Sequence, residues 1–238
     1  MKQKIISWIT KQIKQAKAKG VLLGLSGGID SAVTAALCAE ALGKKRVLGL
    51  ILPCMSERKD LLDARLIASR LGIKSKSIDL CPLYKVCLKT LPKANRITRA
   101  NLKARLRMIV LYYFANKLNY LVCGTSNKSE TLMGYFTKFG DAAADIVPLG
   151  DLLKSQVKEL ASRLNIPQRV IDKTPSAGLW PGQTDEGELG ISYSRLDNIL
   201  LRILKGYKQT QPARFVEKVR FRIRTSEHKR QPPRICRI

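Results

Sequence analysis

Residues 21–42, VLLGLSGGIDSAVTAALCAEAL, join an apolar run, a glycine turn and a helical pattern. A near-continuous apolar run is typical of a buried parallel strand, so we predict a strand over residues 21–26 and a helix over residues 29–42. Between them, adjacent Gly27 and Gly28 let the backbone approach a ligand closely, and the start of the helix offers free N–H groups to an anion. This unit predicts a phosphate-binding turn; a glycine turn with no phosphate role is the alternative.

The same alternation of apolar runs and helical patterns continues along the chain. We predict further strands over residues 47–52, 75–80 and 120–124, and helices over residues 61–71 and 95–118. Strands that alternate with helices form βαβ units with right-handed crossovers. The predicted fold class is therefore α/β, with a doubly wound, mainly parallel sheet flanked by helices. In such a sheet ligands bind beyond the carboxyl ends of the strands.

The ends of the chain are less regular. Apolar residues at helical spacing predict a first helix near the N-terminus, and two more helices are predicted over residues 152–164 and 193–204. The Gly- and Pro-rich residues 175–190 are long for a loop without a function, so we predict a lid or binding loop. Residues 205–238 contain eleven Lys and Arg against two Glu, and we expect this basic segment to lie on the surface. A chain of 238 residues fits one core, so we predict a single domain.

Composition narrows the classes of function. The chain holds 44 Lys and Arg against 18 Asp and Glu, a net charge of +26, which favours polyanionic partners. Its longest apolar run, residues 108–115, is far shorter than the roughly 20 residues that span a bilayer. The N-terminus lacks the features of a secretory signal. Six cysteines without a C-x-x-C pair are expected to be reduced thiols in a cytoplasm.

The turn GLSGGIDS, residues 24–31, lacks the Gly-Lys-Ser/Thr ending of a Walker A loop. Its serines and glycines could wrap a pyrophosphate, while Asp30 offers a carboxylate where a phosphate-bound Mg²⁺ would sit. The turn resembles the pyrophosphate loop of ATP pyrophosphatases, which split ATP into AMP and pyrophosphate. Several activities share this loop.

Three later segments are similar to NAD synthetases in the same order. They are GTSNKSETLMGYFTKFGDAAADIVPLGDLLK (residues 124–154), PSAGLWPGQTDEGELGISY (175–193) and EHKRQPP (227–233). The chain is identified as a member of the ammonia-dependent NAD synthetases, with an adenine nucleotide alpha hydrolase-like fold. The resemblance implies that ATP adenylates the nicotinate carboxylate of deamido-NAD and that ammonia then displaces AMP, in the last step of NAD biosynthesis.

The resemblance also implies the site residues and Mg²⁺ as cofactor. The implied magnesium ligands are Asp30 and Glu130; as an alternative, Glu130 could be a charge at a helix start. The residues implied to bind ATP are Gly24, Leu25, Ser26, Gly27, Gly28, Ile29, Asp30, Ser31, Thr125, Lys154 and Ser176. Those implied to bind deamido-NAD are Arg105, Lys138, Asp145, His228 and Lys229.

Several of these residues have open alternatives: Thr125 and Ser176 could each cap a helix or turn, and Lys154 could be an ordinary solvated lysine. Asp145 could take the proton that ammonium must lose before it attacks, or could only bind the substrate. His228 could be an ordinary surface histidine. Ile29 stands where many family members have Gln, and we expect little consequence from it. Asp141, Asp185 and Glu186 lie in matching segments without an assigned role.

The net charge of +26 leaves functions other than NAD synthesis open. Arg96, Arg99, Lys103 and Arg107 form a basic stripe at helical spacing, which predicts a solvated face or a nucleic-acid surface. The rival functions are a tRNA-modifying enzyme, an amidation like that of GMP synthetase, and a non-catalytic ATP-binding module. The chain lacks a C-x-x-C pair and an added RNA-binding domain, which counts against the tRNA-modifying enzyme, so no nucleic-acid partner is expected.

The resemblance implies a homodimer. Only 25 residues precede Ser26, so we expect ammonia to come free or from a partner chain.

Overall fold

The computed structural model describes residues 1–237. A four-stranded parallel sheet forms its centre, in the order β3-β2-β1-β4. The strands are β1 (Gly20–Gly24), β2 (Val47–Ile51), β3 (Lys74–Ser77) and β4 (Tyr120–Val122). The chain moves outward from β1 to β3 and then returns to place β4 on the other side of β1. This reversal puts the switch point of the sheet between β1 and β4, and it confirms the predicted doubly wound α/β fold.

Twelve helices are present within residues 1–237, together with a 3₁₀ turn at Lys44–Arg46. They are α1 (Lys2–Gln15), α2 (Ile29–Leu42), α3 (Arg58–Leu71), α4 (Cys81–Thr90), α5 (Arg96–Leu118), α6 (Lys128–Met133), α7 (Lys154–Arg163), α8 (Gln168–Ile171), α9 (Asp185–Leu189), α10 (Tyr193–Lys205), α11 (Ala213–Thr225) and α12 (Glu227–Arg230). Asn95 caps α5, since its Oδ1 accepts the N–H of Thr98 at 2.9 Å. No helix in this range combines the length and the apolar character needed to cross a bilayer.

Helices cover both faces of the sheet because alternate strand residues point to opposite sides. Val21 and Leu23 of β1 pack with α1, α2 and α7 in one apolar cluster. Leu22, between them, packs into a second cluster with α4 and α5. The phosphate-loop end of β1 is thereby held between two packed layers.

A third apolar cluster lies away from the sheet and joins α6, α9, α10 and α11. It buries Val216 and Val219 of α11, so this helix of the basic segment lies at the surface with one apolar face packed on the cluster. The cations of α11 alternate with apolar residues that recur every three or four positions, and those apolar residues form its buried face. The last residue of the basic segment, Ile238, lies outside the described residues.

Candidate active site

The turn between β1 and α2, residues 24–31, is the predicted phosphate loop, and close packing and hydrogen bonds hold its conformation. Gly27 has φ of +78°, and a Cβ there would lie 2.3 Å from the carbonyl oxygen of Asp60, so only glycine fits. The N–H of Gly28 donates to Ser26 Oγ at 3.2 Å, and Ser31 Oγ donates to the Gly28 carbonyl at 2.9 Å. The loop therefore presents its hydroxyls and the N-terminus of α2 on one side, as anion binding requires.

Three helix starts bring charged groups together beside this loop. Lys154, the first residue of α7, places Nζ 2.6 Å from Asp30 Oδ2 and 3.1 Å from Glu130 Oε1. The Lys154 side chain is only 2% exposed. Asn127 caps α6 and also donates its Nδ2 to Asp30 Oδ1 at 2.9 Å. Both implied magnesium ligands thus share one lysine.

The pocket holds more negative than positive charge. Burial, with repulsion from Asp30 and Asp185, raises the pKa of Glu130 to about 7, although Lys154 opposes the shift. Burial alone would lower the pKa of Lys154, but its two carboxylate partners raise it overall. Tyr193 donates to Asp185 Oδ2 at 3.0 Å, and Asp185 Oδ1 is buried with no hydrogen-bond partner among residues 1–237. Burial raises the pKa of Asp185 as well.

A cavity of about 440 Å³ opens beyond the carboxyl ends of β1, β2 and β4. Residues 174–183, named here the cover segment, form part of its lining; all but Thr174 belong to the predicted lid region, residues 175–190, whose remainder includes α9. The structure brings most of the implied ATP and metal residues to this cavity: Gly24, Leu25, Ser26, Gly28, Ile29, Asp30, Ser31, Thr125, Glu130, Lys154 and Ser176. Gly27 lies outside the lining and is buried.

The basic stripe of α5 faces the cavity, in part, rather than solvent. Lys103 is 6% exposed, and its Nζ donates to the Leu179 carbonyl of the cover segment at 2.7 Å. Arg107 lines the cavity and donates Nε to the Leu52 carbonyl at 3.1 Å. Arg96 lies over the Trp180 ring, 4.7 Å from its centroid. The interpretation of the stripe as a solvated or nucleic-acid face is therefore wrong for Lys103 and Arg107.

Most residues implied to bind deamido-NAD lie elsewhere. Lys229 lines the cavity, where its Nζ donates to the carbonyls of Gly134 and Phe136. Lys138 instead donates Nζ to the His228 carbonyl at 2.6 Å, and Arg105 Nη2 donates to the Lys138 carbonyl at 3.2 Å. Arg105, Lys138 and His228 thus form a hydrogen-bonded group that includes part of α5 and lies outside the cavity lining.

Asp145 also lies outside the cavity lining and is exposed. Its Oδ2 accepts the N–H of Val122 at 2.7 Å, and its Oδ1 accepts the Tyr112 hydroxyl at 3.2 Å. Burial, with the Asp145 charge, raises the pKa of Tyr112 to about 12, so that this hydroxyl remains a donor. The carboxylate is thus fixed at the end of β4 by a backbone amide and by α5.

Tyr135 and Lys173 are among the cavity residues that sequence reasoning missed. Tyr135 donates its hydroxyl to Glu188 Oε2 at 2.6 Å. Lys173 lies two residues before Pro175, where the PSAGL segment begins, and that proximity is the signal that could have drawn attention to it.

Comparisons with known proteins agree over nearly the whole chain. The family model described as NAD synthase matches residues 1–233. The chain is 48% identical over 242 residues to an NH(3)-dependent NAD(+) synthetase of Methanocaldococcus jannaschii, covering 97% of this chain and 93% of that relative. Among solved structures it is similar to an NMN synthetase from Francisella tularensis (TM-score 0.92, 40% identity, 100% and 97% coverage). It is also similar to an NH3-dependent NAD synthetase from Campylobacter jejuni (TM-score 0.88, 32% identity, 99% and 97% coverage).

Proposed function

This chain belongs to the NAD synthase family, and on that premise we propose that it converts deamido-NAD into NAD with ATP and ammonia. ATP adenylates the nicotinate carboxylate and releases pyrophosphate; ammonia then attacks the acyl carbon and releases AMP. The enzyme is a ligase that forms a carbon–nitrogen bond in the last step of NAD biosynthesis. The observation that carries this proposal is the meeting of phosphate loop, Asp30, Glu130 and Lys154 in one cavity.

The cavity supports a specific placement for ATP. Its phosphates would lie against residues 24–31 and the N-terminus of α2, where free N–H groups favour negative charge. Lys154 would offset the charge that develops as pyrophosphate leaves, an effect that is strong where water is excluded. The hydroxyls of Thr125 and Ser176 also line the cavity; Ser176 Oγ accepts the Gly178 N–H at 3.1 Å and can still donate.

The carboxylates fit Mg²⁺. Asp30 and Glu130 are hard oxygen donors bridged by one lysine, and Asp185 adds a buried oxygen without a donor, so the pocket carries surplus negative charge. Residues 1–237 hold no cluster of three or more side chains arranged to bind a metal, so ATP phosphates would complete the coordination. When bound, Mg²⁺ neutralises phosphate charge and acts as a Lewis acid. Asp30 and Glu130 would hold it against the phosphates.

The positions of the residues implied to bind deamido-NAD support the proposal of a homodimer. Arg105 belongs to α5, and Lys138 and Asp145 are hydrogen-bonded to residues of that helix. On the same helix, Ile109 and Tyr113 are 55% and 61% exposed. A second copy that covers this face would enclose those residues and bury the apolar side chains. Deamido-NAD would then lie between the cavity and the partner subunit. Asp145 already accepts two hydrogen bonds, which favours substrate binding over proton removal as its role.

All six cysteines are free thiols, and Cys38, Cys54 and Cys123 are buried. Thiols that persist are typical of reducing compartments, which supports a cytoplasmic enzyme. Ammonia would arrive free or from a separate chain that releases it.

The test is formation of NAD and AMP from deamido-NAD, ATP, Mg²⁺ and ammonium chloride, with glutamine as a parallel nitrogen source. NAD should form with ammonium and disappear in Asp30→Ala, which removes a proposed magnesium ligand. Nicotinate mononucleotide is tested as a second substrate, because the match to an NMN synthetase covers the whole chain. Faster turnover of the mononucleotide would reassign the substrate. Failure of AMP and NAD to form, with tRNA retained on a filter at moderate salt, would favour the tRNA-modifying rival.

A further inference from the structure

Lys173 links three parts of the site through one ammonium group. Its Nζ lies 2.7 Å from Asp60 Oδ1, 2.9 Å from Asp63 Oδ2 and 3.2 Å from the Gly27 carbonyl oxygen. The ammonium donates hydrogen bonds to the Gly27 carbonyl and to Asp63 Oδ2, and it forms an ion pair with Asp60. The side chain is 20% exposed and lines the edge of the cavity, where these three contacts hold it.

The bond to Gly27 fixes the orientation of one peptide group in the phosphate loop. The peptide between Gly27 and Gly28 is trans and planar, so the Gly27 carbonyl and the Gly28 N–H point in opposite directions. Lys173 holds the carbonyl on the side of α3. The Gly28 N–H therefore points the other way, toward Ser26 Oγ and the cavity.

The acids that hold Lys173 are also fixed. Asp60 and Asp63 lie on the first turns of α3, and the backbone of Asp60 packs directly against Gly27. Arg169 contacts the other oxygen of Asp63, with Nη2 2.8 Å from Oδ1. Two acids and two cations thus form one local group in a chain that has only 18 acids. These contacts set the position of the Lys173 side chain.

We propose that Lys173 is a positioning residue for ATP, which orients the Gly28 amide toward the phosphates and ties the cover segment to the phosphate loop. The proposal rests on the proposed function, because it assumes that ATP phosphates lie against residues 24–31. Thr174 follows Lys173 directly and begins the cover segment, so the lysine joins the lining above the cavity to the loop below it. Its effect reaches ATP through Gly27 and Gly28.

The experiment compares Lys173→Met, Asp63→Asn and their double variant with a control, Lys158→Met, which changes an exposed lysine of α7. KM for ATP, deamido-NAD and ammonium are measured in NAD formation. ATP–pyrophosphate exchange without ammonia reads the first half-reaction alone. Each single variant should raise KM for ATP about tenfold, while KM for ammonium stays within about twofold. The double variant should add little, because both changes disrupt one group.

Lys173→Arg, which keeps charge and donors, should recover part of the ATP affinity. Unchanged KM for ATP in folded Lys173→Met, or a change equal to that of Lys158→Met, would overturn the proposal. So would tighter ATP binding in Asp63→Asn, since freeing the lysine would then have created a direct phosphate contact. If Lys173→Met does not fold, the KM values of Asp63→Asn and Lys173→Arg for ATP and ammonium test the proposal instead. Failure of the wild type to form NAD would instead refute the proposed function.

Discussion

Glu130 shows how burial sets the pH range of metal binding. Its pKa is raised to about 7 by burial and by Asp30 and Asp185, so below that pH the carboxyl holds a proton that Mg²⁺ must displace. Affinity for Mg²⁺ should therefore fall as pH falls through about 7, by up to about tenfold per unit. The measurement is the Mg²⁺ dependence of ATP–pyrophosphate exchange from about pH 6 to about 8. Omitting ammonia removes its own titration from the result. A flat Mg²⁺ dependence over this range would contradict the prediction.

Gly27 and Gly43 form a matched pair for testing the phosphate loop. Both have φ of +78°, but a Cβ at Gly43 meets nothing within 4 Å, whereas one at Gly27 lies 2.3 Å from the Asp60 carbonyl oxygen. Gly43→Ala should cost about 1–3 kcal/mol in the free energy of unfolding, for the backbone conformation alone. Gly27→Ala should cost at least about 1 kcal/mol more, since the loop must move off α3. Urea unfolding of both variants checks the difference, and equal losses would mean that the loop adapts freely.

Elements with strong local signals were predictable from the sequence. Helix α2 begins and ends at the predicted residues, since Gly28 precedes it in extended conformation and Gly43 follows it with positive φ. Short helices were missed because their signals are local hydrogen bonds. Helix α6, of six residues, depends on a capping box between Asn127 and Glu130. Helix α11 was hidden among cations, and its packing partners are distant in sequence.

The same distinction applies to the site. The glycine turn between a strand and a helix was predictable from the sequence alone, whereas Glu130 and Lys154 were found only through the family resemblance. That Lys103 is buried under the cover segment could not be read from spacing, because it depends on where residues 174–183 fold back. The spacing of the stripe correctly predicted that these cations share one helix face, but it wrongly predicted the surroundings of Lys103 and Arg107.

The contact between α5 and the cover segment can be tested through Lys103. Its Nζ donates to the Leu179 carbonyl, so Lys103→Met leaves that carbonyl without its charged donor. Amide hydrogen exchange in the cover segment should speed up by about tenfold, the loss expected for a hydrogen bond to a charged group. Arg99→Met is the control, because Arg99 is exposed on the same helix. Equal exchange rates in both variants would show that the cover segment is held by other contacts.

At the scale of the whole molecule, the scarce acids are not spread evenly. Asp30, Glu130 and Asp185 lie around one cavity in a chain of net charge +26, and Asp60 and Asp63 hold Lys173 beside it. The surrounding positive field attracts polyanionic nucleotides toward the surface, while the local carboxylates select for a cation at the phosphates. The large charge therefore agrees with the proposed nucleotide substrates.

The exposed face of α5 predicts how assembly and substrate binding are connected. Ile109 and Tyr113 lie on the helix that also carries Arg105, so a charge at Ile109 should weaken the proposed dimer. The wild type should sediment at twice the chain mass of 26.6 kDa, and Ile109→Glu should sediment as a monomer. Its KM for deamido-NAD should rise far more than its affinity for ATP, because the ATP residues line a cavity within one chain. Leu204→Glu, at an exposed position of α10, should change neither property. A wild type that is monomeric and fully active would refute both the dimer and the shared site.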